Sequence, residues 1–234
     1  MSHSRPLTGL ELADALTLAA QQLHETSTTD GVLRTAVRLA VDLLPGAEYA
    51  GISAVERAAA RECLAWSDEL VRDADALDPD APDADGVQPP YWDRLWNAPV
   101  VRIDDSASCE DGELSLSGLG LRSALALRLR ADRRRLTALT LYSRKPRAFD
   151  DWAVRTGRLF TAHVSIALET VTMREQLTEA MRTRDLIGQA TGILMERLNI
   201  DAEDAFDSLV RTSQRENVKL RDLARRIVGA MDRP

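Results

Sequence analysis

From Asp151 to Met231 the chain contains no proline, and apolar residues recur through that stretch at helical spacing. Proline is the residue a helix interior excludes most strongly, so the stretch is free to run as long helices. An alternating four-three spacing picks out Ile166, Thr170, Met173, Leu177, Ala180, Arg184, Ile187, Thr191, Leu194 and Leu198. Most of these are apolar or alanine, which predicts a helical seam able to pair in parallel with a second copy. Packing of the same helix against its own domain is the alternative. A helix over 152–198 would extend roughly 70 Å at its ordinary rise per residue, more than one small domain covers.

Two shorter amphipathic helices follow. The first starts at Asp201 as N-cap and is expected to turn Ala202, Ala205, Phe206, Leu209 and Val210 inward. The second carries Leu220, Leu223, Ala224, Ile227, Val228 and Met231 on one face. Asn199 and Asn217 sit at the two breaks, where asparagine tolerates left-handed geometry. These segments predict a small three-helix bundle with Phe206 as its aromatic.

The remainder reads as α+β. Helices are expected near 9–25, capped by Thr8, and near 30–44, capped by Asp30 and ended by Pro45-Gly46. Strands are expected near 48–56, 60–66 and 99–103, with a short helix near 91–97. Alternation along Ser123–Arg130 and Leu136–Ser143, with Ala131-Asp132-Arg133 between, predicts a β-hairpin. Asp150 then opens the long helix. The fold class is therefore an antiparallel sheet with flanking helices, a long coiled-coil helix, and a C-terminal three-helix bundle.

Charge and composition narrow the function. The net charge of −7 resides in residues 68–85, which hold eight acids and only Arg72 as a base. The rest of the chain is neutral, so the acidity belongs to one segment, read as a solvated loop, with a region that repels RNA or covers a basic face until released as the alternative. No run of apolar residues is long enough for a membrane span, and the first residues lack the pattern of a secretory leader. Cys63 and Cys109 are too few for a disulfide framework and fit a reducing cytoplasm.

The run Ile187–Leu198, IGQATGILMERL, followed by SQRENVKLRDLARR at Ser213–Arg226, resembles the ANTAR domain, an RNA-binding unit of bacterial antitermination regulators. The N-terminal helices, the antiparallel strands and the stretch LTLYSRKPRAFDDWAVRTGRLFTAHVSIAL resemble a GAF domain. The resemblance implies a GAF-like sensor over 8–170, a shared connecting helix over 151–198 and an ANTAR RNA-binding domain over 175–234. It also implies binding of small RNA hairpin loops, often as a tandem pair, which keeps a terminator from forming; together with the helical seam this predicts a homodimer on tandem hairpins. By matching positions, Gln189, Ala190, Thr191 and Gly192 correspond to the family's Ala-(Lys/Thr)-Gly stretch, and Lys219, Leu220 and Arg221 to its basic segment before the last helix. Where many members carry lysine, this chain has Thr191.

The polar residues of the tail supply candidate RNA contacts. Arg184, Thr191 and Met195 lie in one strip of the long helix with Gly188, and Gln189 with Gly192 borders it. Gln189 can donate and accept at a base edge. Thr191, Ser213 and Asn217 can reach phosphate or base, and Arg182, Arg184, Lys219, Arg221 and Arg225 supply charge. Gly188 and Gly192 allow either close helix packing or close approach of an RNA loop. Bases and acids balance from Thr178 to Pro234, but Asp201, Glu203, Asp204 and Asp207 cluster where a helix N-terminus favours them.

Enzyme chemistry finds little support. His3, His24 and His163 have no zinc-ligand spacing, and neither a nucleophile elbow nor a phosphate-binding glycine loop occurs. No cofactor is expected. A small-molecule ligand in the sensor is left open, with Trp66, Tyr91, Trp92 and Trp96 as pocket or core residues. Two rival readings remain: a DNA-binding regulator, and a protein-interaction module.

Overall fold

The computed structural model describes residues 9–56, 62–76, 90–107, 116 and 119–230. The chain divides into two compact units, Met1–Thr172 and Met173–Pro234. The first unit begins with α1 (Gly9–Glu25) and α2 (Thr29–Leu43). A five-stranded antiparallel sheet follows, made of β1 (Tyr49–Glu56), β2 (Glu62–Trp66), β3 (Val100–Ile103), β4 (Ser123–Ala131) and β5 (Arg135–Ser143), ordered β2-β1-β5-β4-β3. Two short helices, α3 (Glu69–Ala76) and α4 (Pro90–Asn97), lie between β2 and β3. Segment 68–85 is thus not all loop, because its start forms α3; residues 77–85 lie outside the described ones.

Strand alternation builds two cores, one on each face of the sheet. Leu125, Leu127, Leu129, Leu139, Leu141 and Ile52 face α1, α2 and the start of α5 (Asp151–Leu198), where Phe160 and Val164 meet them. Ala124, Ala126, Leu136, Ala138 and Tyr142 face the other way, towards Val71 of α3 and Leu95 of α4. The expected hairpin is present, with Leu127 opposite Leu139 and Leu125 opposite Leu141. At Gly157 a Cβ would stand 2.6 Å from Leu127 Cδ1, so glycine lets α5 lie close on the sheet.

Local chemistry sets the element ends. Thr28, not Asp30, caps α2: its Oγ1 accepts from the Gly31 amide at 3.1 Å. Asp30 falls in the first turn and accepts from Arg34 Nε at 2.9 Å, one turn along. The Thr8 cap expected for α1 lies outside the described residues. Asp150 caps α5, its Oδ1 accepting from the Ala153 amide at 2.8 Å. Arg102 on β3 reaches Asp151 at 3.1 Å, joining the sheet edge to the same helix start. Arg122 clasps Asp105 with two bonds of 2.8 and 2.6 Å. That contact holds the Asp105 carboxyl below, and the guanidinium above, their ordinary ranges. Asp132 in the hairpin turn is likewise lowered, by the amides of Arg134 and Arg135.

After α2 the chain turns at Gly46, which has φ +85°. A side chain there would collide with the Ala148 carbonyl oxygen. Gly46→Ala therefore combines left-handed strain with a backbone clash. We expect a loss of roughly 2–4 kcal/mol, read as a lowered urea midpoint of tryptophan fluorescence. An unchanged midpoint would contradict the close approach.

The second unit holds the end of α5, then α6 (Ala202–Glu216) and α7 (Leu220–Gly229). Asn199 and Asn217 do adopt left-handed geometry, at φ 50° and 51°. After each helix the same turn forms: the Ile200 amide donates to Met195 O, and the Val218 amide to Ser213 O. Asp201 caps α6 through the Asp204 amide at 2.9 Å. The core consists of Ala190, Leu209, Leu223 and Ala224, flanked by half-buried Leu186, Ile187, Leu194 and Ile227. Two inward expectations fail on α6. Phe206 is 43% exposed and Ala202 is exposed, because Ala205 and Leu209 take the centre of the buried face. Met231 lies outside the described residues.

Candidate nucleic-acid interface

The C-terminal part of α5 presents most of the expected polar residues to solvent. Arg182, Arg184, Gln189 and Gly192 are exposed, and Met195 is 36% exposed. Ala190 departs from the expectation. It is fully buried against Leu209, Leu223 and Ala224, so its methyl group packs the bundle and cannot touch a ligand. Its place in the sequence stretch reflects the close helix contact that a small residue allows.

Helical geometry splits the remaining residues into two strips. Arg182 and Gln189 lie about 20° apart around the axis, whereas Arg184, Thr191 and Met195 lie roughly 150° away from them. Gly188 and Gly192 belong to the solvent side between the strips. A Cβ at either glycine would meet nothing within 4 Å. Close packing within the chain therefore does not explain these glycines, although each costs about 1 kcal/mol of helix stability relative to alanine. They leave a stretch of helix backbone bare.

Two hydroxyls are already engaged. Thr191 Oγ1 donates to Ile187 O at 2.9 Å, and Ser213 Oγ donates to Val218 O at 2.6 Å. Ser213 thereby closes the turn between α6 and α7. Asn217 is exposed in that turn, and Lys219 follows as an exposed N-cap that provides no side-chain acceptor. The first amides of α7 therefore lack a side-chain cap.

The arginines of α7 differ in their partners. Arg225 donates to Asp222 at 3.1 Å and Arg226 to Glu216 at 3.0 Å. Arg221 lies only within looser ion-pair range, 3.7 Å from Glu179 of α5 and 3.8 Å from Asp222. Sequence reading missed Glu179. It lies one turn before Arg182, but nothing in the spacing announces its contact with a residue so far along the chain.

The first unit offers a separate feature. A cavity of about 470 Å³ opens beside the sheet, near α2 and α5, among Leu33, Leu64, Leu129, Arg130, Arg135 and Leu168. Trp66 and Trp96 do not line it. Trp66 is 40% exposed and donates to Glu69 at 3.3 Å, and Trp96 packs on the opposite core. The side chains of Tyr91 and Trp92, and all of Cys109, lie outside those described. Cys63 is a half-buried residue of β2. Among the described residues no group of three or more His, Cys, Asp or Glu could hold a metal, and no helix is long and apolar enough to cross a membrane.

Comparison with known proteins fits this division. A GAF domain model matches residues 26–169, and an ANTAR domain model matches 175–228. No curated protein matches the chain. Among solved structures, the chain is similar to the chromophore-binding domain of a bacteriophytochrome from R. palustris, at 11% identity and TM-score 0.52, over 73% of this chain and 65% of that one. It is also similar to the photosensory core module of the Stigmatella aurantiaca phytochrome, at 11% identity and TM-score 0.62, covering 88% and 45%. The free methionine-R-sulfoxide reductase from Neisseria meningitidis, in complex with its substrate, shares 14% identity at TM-score 0.55, covering 74% and 98%. The chain thus spans less than two thirds of either phytochrome chain. At such identities these structures establish the fold alone. Both matched domains are regulatory modules: the GAF domain a signal-sensing one, the ANTAR domain that of RNA-binding antitermination regulators. The chain belongs to the GAF domain family and, with an ANTAR domain behind the sensor, is a GAF–ANTAR regulator.

Proposed function

We propose that this protein acts in the cytoplasm as a homodimer that binds tandem RNA hairpins in nascent transcripts and so prevents termination. In this reading 8–170 senses or scaffolds, 151–198 connects, and 175–234 binds RNA. The observation that carries it is the bare Gly188–Gly192 backbone, open to solvent and bordered by Arg182, Arg184 and Gln189, inside the ANTAR match. RNA loops are read by splayed bases that need backbone and polar side chains within reach. Dimerisation is supported by the apolar residues that α5 leaves exposed: Leu159 and Ile166 in the first unit, Met173, Leu177 and Met181 in the second. A dimer engaging two linked hairpins gains through effective concentration what one hairpin contact lacks. A signal at the sensor would act through α5, which runs unbroken from Asp151 to Leu198.

The test is binding of the full chain to a two-hairpin RNA with purine-containing loops, against one hairpin and against duplex DNA, at two salt concentrations. The two-hairpin RNA is expected to bind tightest. Gln189→Ala and Arg221→Ala should each weaken it about ten-fold, the cost of a lost specific contact. Equal binding of duplex DNA would favour a DNA-binding regulator. A folded dimer that binds no nucleic acid would favour a protein-interaction role.

A further inference from the structure

We propose that the guanidinium of Arg221 is a phosphate subsite, held closed in the free protein by the carboxylate of Glu179. This rests on the RNA-binding reading for its ligand, but its geometry stands apart from that reading. Arg225 and Arg226 on the same helix each donate to a carboxylate at ordinary hydrogen-bond distance. Arg221 does not. Its Nε–H is buried, yet it has no hydrogen-bond partner. Native proteins leave few buried donors unsatisfied, and such a donor costs free energy until an acceptor arrives. The acidic neighbours are poorly placed to provide one. Asp222 is committed to Arg225, and Glu179 sits 3.7 Å from Nη1, close enough to attract but not to bond. The Arg221 side chain as a whole is 42% exposed, so the guanidinium is not sealed off from solvent.

A phosphate suits this gap. With a shift of the Arg221 side chain that uncovers Nε, the phosphate oxygens accept there and at a terminal nitrogen together, the forked geometry that arginine offers and lysine does not. Arg182 lies one turn from Glu179 on the same side of α5, so an arriving anion meets a second cation as the carboxylate swings away. Glu179 thus acts as an internal competitor that lowers affinity for any single phosphate and spares the protein from indiscriminate anion binding.

The experiment uses the full chain with two probes, pyrophosphate and the two-hairpin RNA. The Nε–H resonance of Arg221, assigned by its disappearance in Arg221→Lys, is followed by ¹⁵N NMR during pyrophosphate titration. The resonance is expected to move in the wild type, and to move at lower pyrophosphate in Glu179→Gln. With RNA, Glu179→Gln is expected to bind about two- to five-fold more tightly, the range for releasing an exposed ion pair. Arg221→Lys should bind more weakly than wild type despite its retained charge. A resonance that stays still in both proteins overturns the proposal, as does equal affinity of wild type and Glu179→Gln for both probes. If pyrophosphate moves the resonance but none of the proteins binds RNA, the subsite stands and the RNA reading falls. If RNA binds but neither substitution matters, the RNA reading stands and the subsite falls.

Discussion

Leu209→Ala is expected to melt the C-terminal bundle and abolish RNA binding while the GAF domain stays folded. Leu209 is 1% exposed, and among the described residues Ala190, Leu223 and Ala224 are the others buried in its core. Truncating a buried leucine costs about 2–5 kcal/mol. A unit this small has little stability to lose, because it buries a smaller share of its surface than a larger domain. The two units can be read separately. All four tryptophans, Trp66, Trp92, Trp96 and Trp152, fall in the first unit. Far-ultraviolet circular dichroism should lose helix signal while tryptophan fluorescence and its urea midpoint stay put. Full helicity with retained RNA affinity would show that the bundle does not depend on this residue.

Phe160→Ala is expected to have the largest effect on the sensor domain, about 3–5 kcal/mol. Phe160 is fully buried in the core between α5 and the sheet, one turn beyond Gly157, where the helix lies close on Leu127. Neighbours cannot collapse into the gap without moving the helix off the sheet. The urea midpoint of tryptophan fluorescence should fall sharply, with Trp152, packed against the same core, as a reporter. A shift no larger than that of a surface substitution would refute the packing described here.

Much of the architecture was legible before any coordinates. The hairpin of β4 and β5 could be read because leucines alternate with small or polar residues at period two, and that period has one strand geometry. The helix breaks at Asn199 and Asn217 could be read because few residues adopt left-handed backbone cheaply. Capping was less secure. Thr28 and Asp30 both suit an N-cap, and the choice fell to Thr28, whose hydroxyl reaches the Gly31 amide while Asp30 pairs with Arg34.

The site divided the same way. The sequence placed Arg182, Gln189, Gly192 and Arg221 in one short module, but it could not separate Ala190 from its neighbours. Along a helix every residue in four turns looks equally available, and only the position of α6 and α7 decides which side is covered. That position buries Ala190, leaves Phe206 exposed, and sets Glu179 beside Arg221. The sequence by itself determined the order of elements apart from α3, the two modules and the residue types of the candidate interface, because periodicity, turn chemistry and local motifs are properties of neighbours in the chain. The tertiary structure alone decided which faces are buried and which charges meet, because those depend on residues distant in sequence brought together by packing.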